Sequence, residues 1–242
     1  MGPQFSFASR AGLTICLGAA LLALHPGAQA GSITGEVKFS GDLPHRPPIK
    51  VTKDQDYCGQ TIPNDSYLVG PGSGVKNVVV YVDNPSRPVG TPVGEKERLL
   101  ENHGCRFAPR VLALRLGEKL IVKNGDPKLH IVHSYADKRT VFNLSLPFPG
   151  SKIDITQKIR KPALLQINCD THGWMRAYIH VFDHPFFSVT DERGNFSIAD
   201  LPPGRYSLKV WHEGAGVQGR EVVVSDQGEV GVNFTFGKPA SP

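Results

Sequence analysis

Helical periodicity is nearly absent from this chain, and so are several motifs that would mark an enzyme. No glycine-rich stretch ends in the Gly-Lys-Ser/Thr of a phosphate loop; Gly70-Pro-Gly72-Ser-Gly74 is followed by Val75-Lys76 and reads as a turn before a strand. No serine sits in a recognisable nucleophile turn, and the paired carboxylates Asp191-Glu192 fall in a hairpin turn. Basic residues outnumber acidic ones only enough for a formal charge of +5. They form no aromatic-interleaved stripe, which argues against nucleic acid as a partner. Long apolar runs are missing after residue 24, so no membrane span is expected. Methionine and tryptophan are the scarcest of all, two of each: apart from Met1 the only methionine is Met175.

What is present begins with residues 1–30, which read as a secretory signal peptide. Arg10 supplies the positive start, residues 11–24 the short apolar run, and Ala28-Gln-Ala30 the small-residue cleavage site. Export, expected to the periplasm, permits disulfides. Beyond the leader three cysteines remain, an odd number that calls for a functional thiol or an intermolecular partner. The simplest assignment bridges Cys58 to Cys105 and reserves Cys169; three free thiols are the alternative.

Prolines (20) and glycines (26) punctuate short runs of alternating or β-branched residues, which predicts an all-β protein. Strands are expected over 32–39, 75–82, 111–114, 119–123, 131–135, 153–157, 163–167, 177–182, 187–190, 195–198, 206–210, 220–224 and 231–236.

The densest chemistry lies in Cys169-Asp-Thr-His172-Gly-Trp-Met175, between two strands, with His130 upstream. One thiolate, two imidazoles and a thioether suit a single copper ion cycling between Cu(I) and Cu(II). Zinc accepts Cys and His, but a thioether is a poor fourth ligand for it. A dinuclear site would need a second cysteine in the loop, where position 173 is glycine. His133 follows His130 by three, which on a strand puts it on the opposite face. His180, His184 and His212 could form a second metal site, though core or surface histidines are commoner.

The stretch 94–184 resembles the cupredoxins, small blue copper proteins. The Cys-x-x-His-x-x-Met loop is similar to the short loop of amicyanin, His130 to the family's upstream histidine, and Asn124 to the asparagine that ties the ligand loops together. Gly-Trp at 173–174 departs from amicyanin, which has a proline there. The resemblance implies a Greek-key sandwich, metal ligands His130, Cys169, His172 and Met175, and electron transfer to a redox partner such as a c-type cytochrome or an oxidoreductase. Trp174, beside the ligands, is expected either at a docking surface or packed on the other domain.

Residues 185–238 resemble a carboxypeptidase-regulatory or transthyretin-like sandwich through Thr190-Asp191, Gly194, Phe196, Ile198, Leu201-Pro-Pro-Gly204, Tyr206, Leu208 and Val210. That family's opening strands appear far upstream, in 31–37 and 78–82. The copper domain is therefore expected to be inserted into this sandwich, with 31–93 supplying its early strands. A tandem arrangement, with 31–93 extending the cupredoxin, is the alternative. The whole chain resembles periplasmic proteins of the methylamine-utilisation type. Copper delivery or storage, or a carbohydrate-binding adaptor using Trp211 and Tyr206, are the rival functions. No catalytic residue is assigned, and the sequence fixes no oligomeric state.

Overall fold

The computed structural model describes residues 1–2, 30–43, 45–83, 85 and 96–237, and shows an all-β architecture. The expected leader, apart from its ends, lies outside the described residues. Among the described residues no helix is long and apolar enough to cross a membrane.

Strands between residues 97 and 182 pair among themselves. A five-stranded sheet runs in the order Arg139–Leu146, His130–Ala136, Ala163–Cys169, Arg176–Phe182, Val111–Arg115. A four-stranded sheet faces it, in the order Lys152–Asp154, Lys119–Asn124, Glu97–His103, Arg106–Ala108. Their inward residues form one apolar core that includes Leu100, Leu120, Val132, Leu144, Leu165, Ile167 and Ile179. Strand periodicity selects these residues: in Ala163–Cys169 the buried positions are Leu165, Ile167 and Cys169, one face of a two-residue repeat.

Apart from the short separate pair Ile49–Lys50 and Thr61–Ile62, the remaining strands come from both ends of the chain. Gly31–Ser40 pairs with Asn195–Leu201, Glu229–Gly231 and Phe234–Gly237, and Val79–Asp83 lies between Phe187–Val189 and Gly204–His212, with Gly216–Val224 outermost. They enclose a second core of Ile33, Val37, Val80, Phe196, Leu208 and Phe236 among others. The turn at Asp191–Gly194 forms as the sequence predicts. Gly194 takes φ 81°, and Asp191 accepts the amides of Arg193 and Asn195, each at 2.8 Å. A small third cluster (Val79, Val111 and Ala113, with Tyr81, Tyr178 and Trp211 packed on it) joins the two cores.

Four expectations are corrected. Glu97–His103, Arg106–Ala108 and Arg139–Leu146 are strands that the pattern reading passed over. The strand expected over 153–157 ends at Asp154 and gives way to a 3-10 turn, Thr156–Lys158, because Asp154 accepts the Thr156 amide and hydroxyl. The strand over 231–236 is interrupted at 232–233, and its two halves both run parallel to Gly31–Ser40. The strand expected from 75 begins at Val79, position 75 making only an isolated bridge.

Candidate metal centre

Cys169 ends the central strand Ala163–Cys169, paired antiparallel with His130–Ala136 so that Cys169 lies opposite Val132. His130 is two residues from Val132 and so projects from the same face, into the core. The amide of Asp170 donates to the Ile131 carbonyl at 2.9 Å, tying the start of the 169–175 loop to the His130 strand. The Met175 amide donates to the His172 carbonyl at 2.9 Å and folds the loop tightly enough to bring His172 over Cys169.

Three donor atoms therefore converge. Cys169 Sγ lies 3.6 Å from His130 Nδ1 and 3.7 Å from His172 Nδ1, and the two Nδ1 atoms are 3.1 Å apart. His130 and His172 are fully buried and Cys169 nearly so. Among the described residues this is the group of three or more His, Cys, Asp or Glu side chains placed to share a metal ion. Met175 is buried in the same apolar core as Cys169. Two imidazole lone pairs and a thiolate aimed at one point repel each other unless a cation lies among them. Metal–nitrogen and metal–sulfur bonds of about 2.0 and 2.3 Å would hold such donors a little over 3 to nearly 4 Å apart, so the set fits a small metal ion.

Each imidazole has a carboxylate behind it. His130 Nε2 is 3.0 Å from Asp126 Oδ2, both side chains fully buried. His172 Nε2 is 2.9 Å from Asp54 Oδ2. Accepting carboxylates hold both rings as the Nε2–H tautomer and leave Nδ1 for the shared point. Asp126 also accepts the amides of Gly104 (2.7 Å) and Cys105 (2.9 Å) and the Tyr57 hydroxyl (3.0 Å). Burial works against the Asp126 charge, but these donors and His130 bring its pKa down to about 2. Burial likewise opposes charge on His130, and its bonds to Asp126 and Cys169 overcome it, raising the ring to about 9, so without an ion Nδ1 carries a proton that a metal entering the site would displace. Cys169, penalised by burial, is drawn down to about 6 by His130 and His172, so a thiolate is ready near neutral pH.

The surroundings fix the remaining residues singled out in the sequence. Asn124 is buried, donates to the carbonyls of Lys128 (2.9 Å) and Leu146 (3.0 Å), and accepts the Asp126 amide. It thus braces the loop before His130 against the end of Arg139–Leu146, whereas the resemblance had it tie both ligand loops. Trp174 is half-buried against the same core, its ring 5.1 Å from that of His172, and its indole donates to the Cys105 carbonyl at 3.1 Å. The alternative of packing on the other sandwich is corrected: Trp174 packs on the core that holds Cys169. Cys58 and Cys105 form the expected disulfide, and Cys169 is free. His133 faces away, bound to Asp170 and Thr140. Among the described residues His180, His184 and His212 do not join a metal-ligand group: the imidazoles of His184 and His212 accept the amides of Phe186 and Gly214. Tyr206 packs on the second core with its hydroxyl on the Pro202 carbonyl, and Trp211 packs between Tyr178 and His180.

Sequence reasoning missed Asp54, Asp126 and Tyr57. Asp126, four residues before His130, was open to notice as a carboxylate beside a candidate ligand. Asp54 stands 118 residues from His172, and no local pattern connects them.

Comparison with known proteins adds the following. Residues 176–237 match the family model of the carboxypeptidase regulatory-like domain. Among solved structures, the chain is similar to a Cu-containing nitrite reductase (NirK) from Thermus scotoductus SA-01, at 23% identity and TM-score 0.31 over 39% of this chain. The chain spans only 24% of that reductase's length. It is also similar to a purple cupredoxin from Nitrosopumilus maritimus (17% identity, TM-score 0.30, 34% of this chain and 97% of that one). A reduced, singly substituted amicyanin is similar at 15% identity and TM-score 0.30, over 37% of this chain and 85% of that one. No curated protein matches the chain. The structural likenesses are partial and of low score, and none decides function.

Proposed function

We propose that this protein is an exported, periplasmic electron carrier with one mononuclear copper centre of the blue type, built in a cupredoxin domain over 94–184 that is inserted in a carboxypeptidase-regulatory-like sandwich. His130, Cys169, His172 and Met175 would hold the ion. The observation that carries this reading is the convergence of one buried thiol and two buried imidazole Nδ1 atoms within 3.1–3.7 Å of each other. Copper so bound would supply a one-electron couple through a strongly donating thiolate, with a thioether that also satisfies Cu(I).

The chain's own residues do the rest. The apolar core around Cys169 and Met175 excludes water. Asn124 and the Asp170 amide fix the loops on which His130 and Cys169 stand, so the donors keep their places as charge changes. A redox protein, a c-type cytochrome or an oxidoreductase, is the proposed partner, and no catalytic role is assigned to the chain. Copper delivery would call for donors open to exchange, and the burial of all three favours retention instead.

The test is a titration of the mature protein with Cu(II). An intense visible thiolate-to-copper band at one equivalent, lost in Cys169→Ser, is expected. A colourless adduct, or a band that survives the substitution, would rule the reading out.

A further inference from the structure

We propose, resting on the copper reading above, that Asp54 and Asp126 are a matched pair of positioning carboxylates that bias the centre toward Cu(II) and retain the ion, and that the disulfide-bound segment 51–62 exists to bring Asp54 onto His172.

Asp54 is the residue before the four-residue helix Gln55–Cys58. Aspartate there ordinarily accepts an amide of the helix's first turn. Asp54 makes no such bond, and its backbone takes the left-handed conformation, φ 52° and ψ 40°, which few non-glycine residues adopt. Aspartate is among the non-glycine residues that tolerate this conformation. Here the turn aims the carboxylate away from its own helix and at His172 Nε2, 2.9 Å away. Lys128, 3.6 Å from Asp54 and 2.6 Å from Asp56, steadies the same corner.

The helix also reaches the other carboxylate. Tyr57, within it, donates to Asp126 at 3.0 Å. Cys58, its last residue, is bonded to Cys105, and the Cys105 amide donates to Asp126 at 2.9 Å. Gly104 and Cys105 both have positive φ, 58° and 56°, so their successive amides point together at that carboxylate. The contacts close a ring: Asp54 to His172, across the donor cluster to His130, then Asp126, then through Tyr57 and the disulfide back to the helix that follows Asp54. One short element thereby orients both imidazoles.

The chemistry follows from charge. A carboxylate accepting the Nε2 proton makes Nδ1 a stronger donor. A stronger donor stabilises the doubly charged ion more than the singly charged one. Loss of one such partner commonly weakens metal binding tenfold or more. A tenfold loss confined to Cu(II) raises a one-electron potential by about 59 mV.

The experiment uses the copper-loaded mature chain, with the potential read by spectroelectrochemistry and copper release timed against a chelator. In Asp54→Asn the visible band is expected to persist, the potential to rise by tens of millivolts, and copper to leave several-fold faster. Tyr57→Phe, which keeps the fold's packing and relieves Asp126 of one donor, should strengthen that carboxylate's hold on His130 and move the potential the other way, downward and by less. A bystander carboxylate would change thermal stability without moving the potential. An unshifted potential in Asp54→Asn with the band intact overturns this proposal and leaves the copper reading standing. Absence of the band in the unmutated protein overturns both.

Discussion

His180 shows how one buried side chain can set the response of the whole protein to acid. It is 6% exposed, stacks near Phe182 and Trp211, and its Nε2 has no hydrogen-bond partner among the described residues. Burial alone pushes its pKa down to about 3. His212, buried and facing Arg110 and Arg46, is pushed to about 4, and burial lowers His184 as well. An unfolded chain takes up protons on these rings near pH 6.5, while the folded chain refuses them until far lower. The stability they contribute is therefore complete above about pH 6.5 and is lost as pH falls toward 4 and 3. Each such ring contributes at most about 1.4 kcal/mol per pH unit inside its window. His180→Phe should flatten the pH dependence of the urea midpoint between pH 6.5 and 4 by one ring's share. An identical slope in the variant would show that another group governs acid lability.

Among the elements, Gly31–Ser40 is the most constrained. It is bordered by an antiparallel strand on one side and by two short parallel strands on the other, with the Val232 amide donating to the Thr34 carbonyl where those two part. A Cβ on Gly35 would stand 1.9 Å from the Val232 carbonyl oxygen, and that oxygen belongs to backbone that cannot step aside cheaply. Gly35→Ala should destabilise the protein by about 1–3 kcal/mol through overpacking. Gly231→Ala, with nothing within 4 Å of the added carbon, should fall within about 0.5 kcal/mol. Equal melting temperatures for the two variants would contradict this account of the strand.

The same elements show what a linear reading can reach. Strands with clean alternation or continuous β-branched runs, such as Val111–Arg115 and Ala163–Cys169, announce themselves. Arg139–Leu146 alternates as well, with Phe142, Leu144 and Leu146 inward, and its pattern was legible though passed over. Glu97–His103 was not: Glu97, Arg98, Glu101 and His103 leave only Leu100 and Asn102 buried, and its place is set by parallel pairing with Lys119–Asn124. In the site, Cys169, His172 and Met175 were visible because a short loop must carry them together. The segment that brings Asp54 was invisible because its position depends on a disulfide and on sheet pairing between distant strands.

At the scale of the whole molecule, the question is what keeps the two sandwiches in register. The chain leaves the second sandwich after Asp83 and returns to it after Phe182, and Cys58–Cys105 adds a covalent tie. The noncovalent joint is the cluster of Val79, Val111, Ala113, Tyr178 and Trp211, flanked by Arg110 and Glu213. Arg110 Nε and Nη2 both bond the Glu213 carboxylate, and the side chains are 18% and 7% exposed. Two parallel bonds to a carboxylate are stronger and more directional than a single contact. Breaking such a pair leaves a charge stranded in a place of little water, at a cost of about 3 kcal/mol. Arg110 precedes the first sandwich's edge strand, and Glu213 follows the second sandwich's central strand, so the cost falls on their docking and not on either core. Glu213→Gln should therefore lower the melting temperature and separate one calorimetric transition into two, while the visible spectrum of the copper-loaded protein stays as it was. A single transition at an unchanged temperature would mean that the apolar cluster alone holds the sandwiches together.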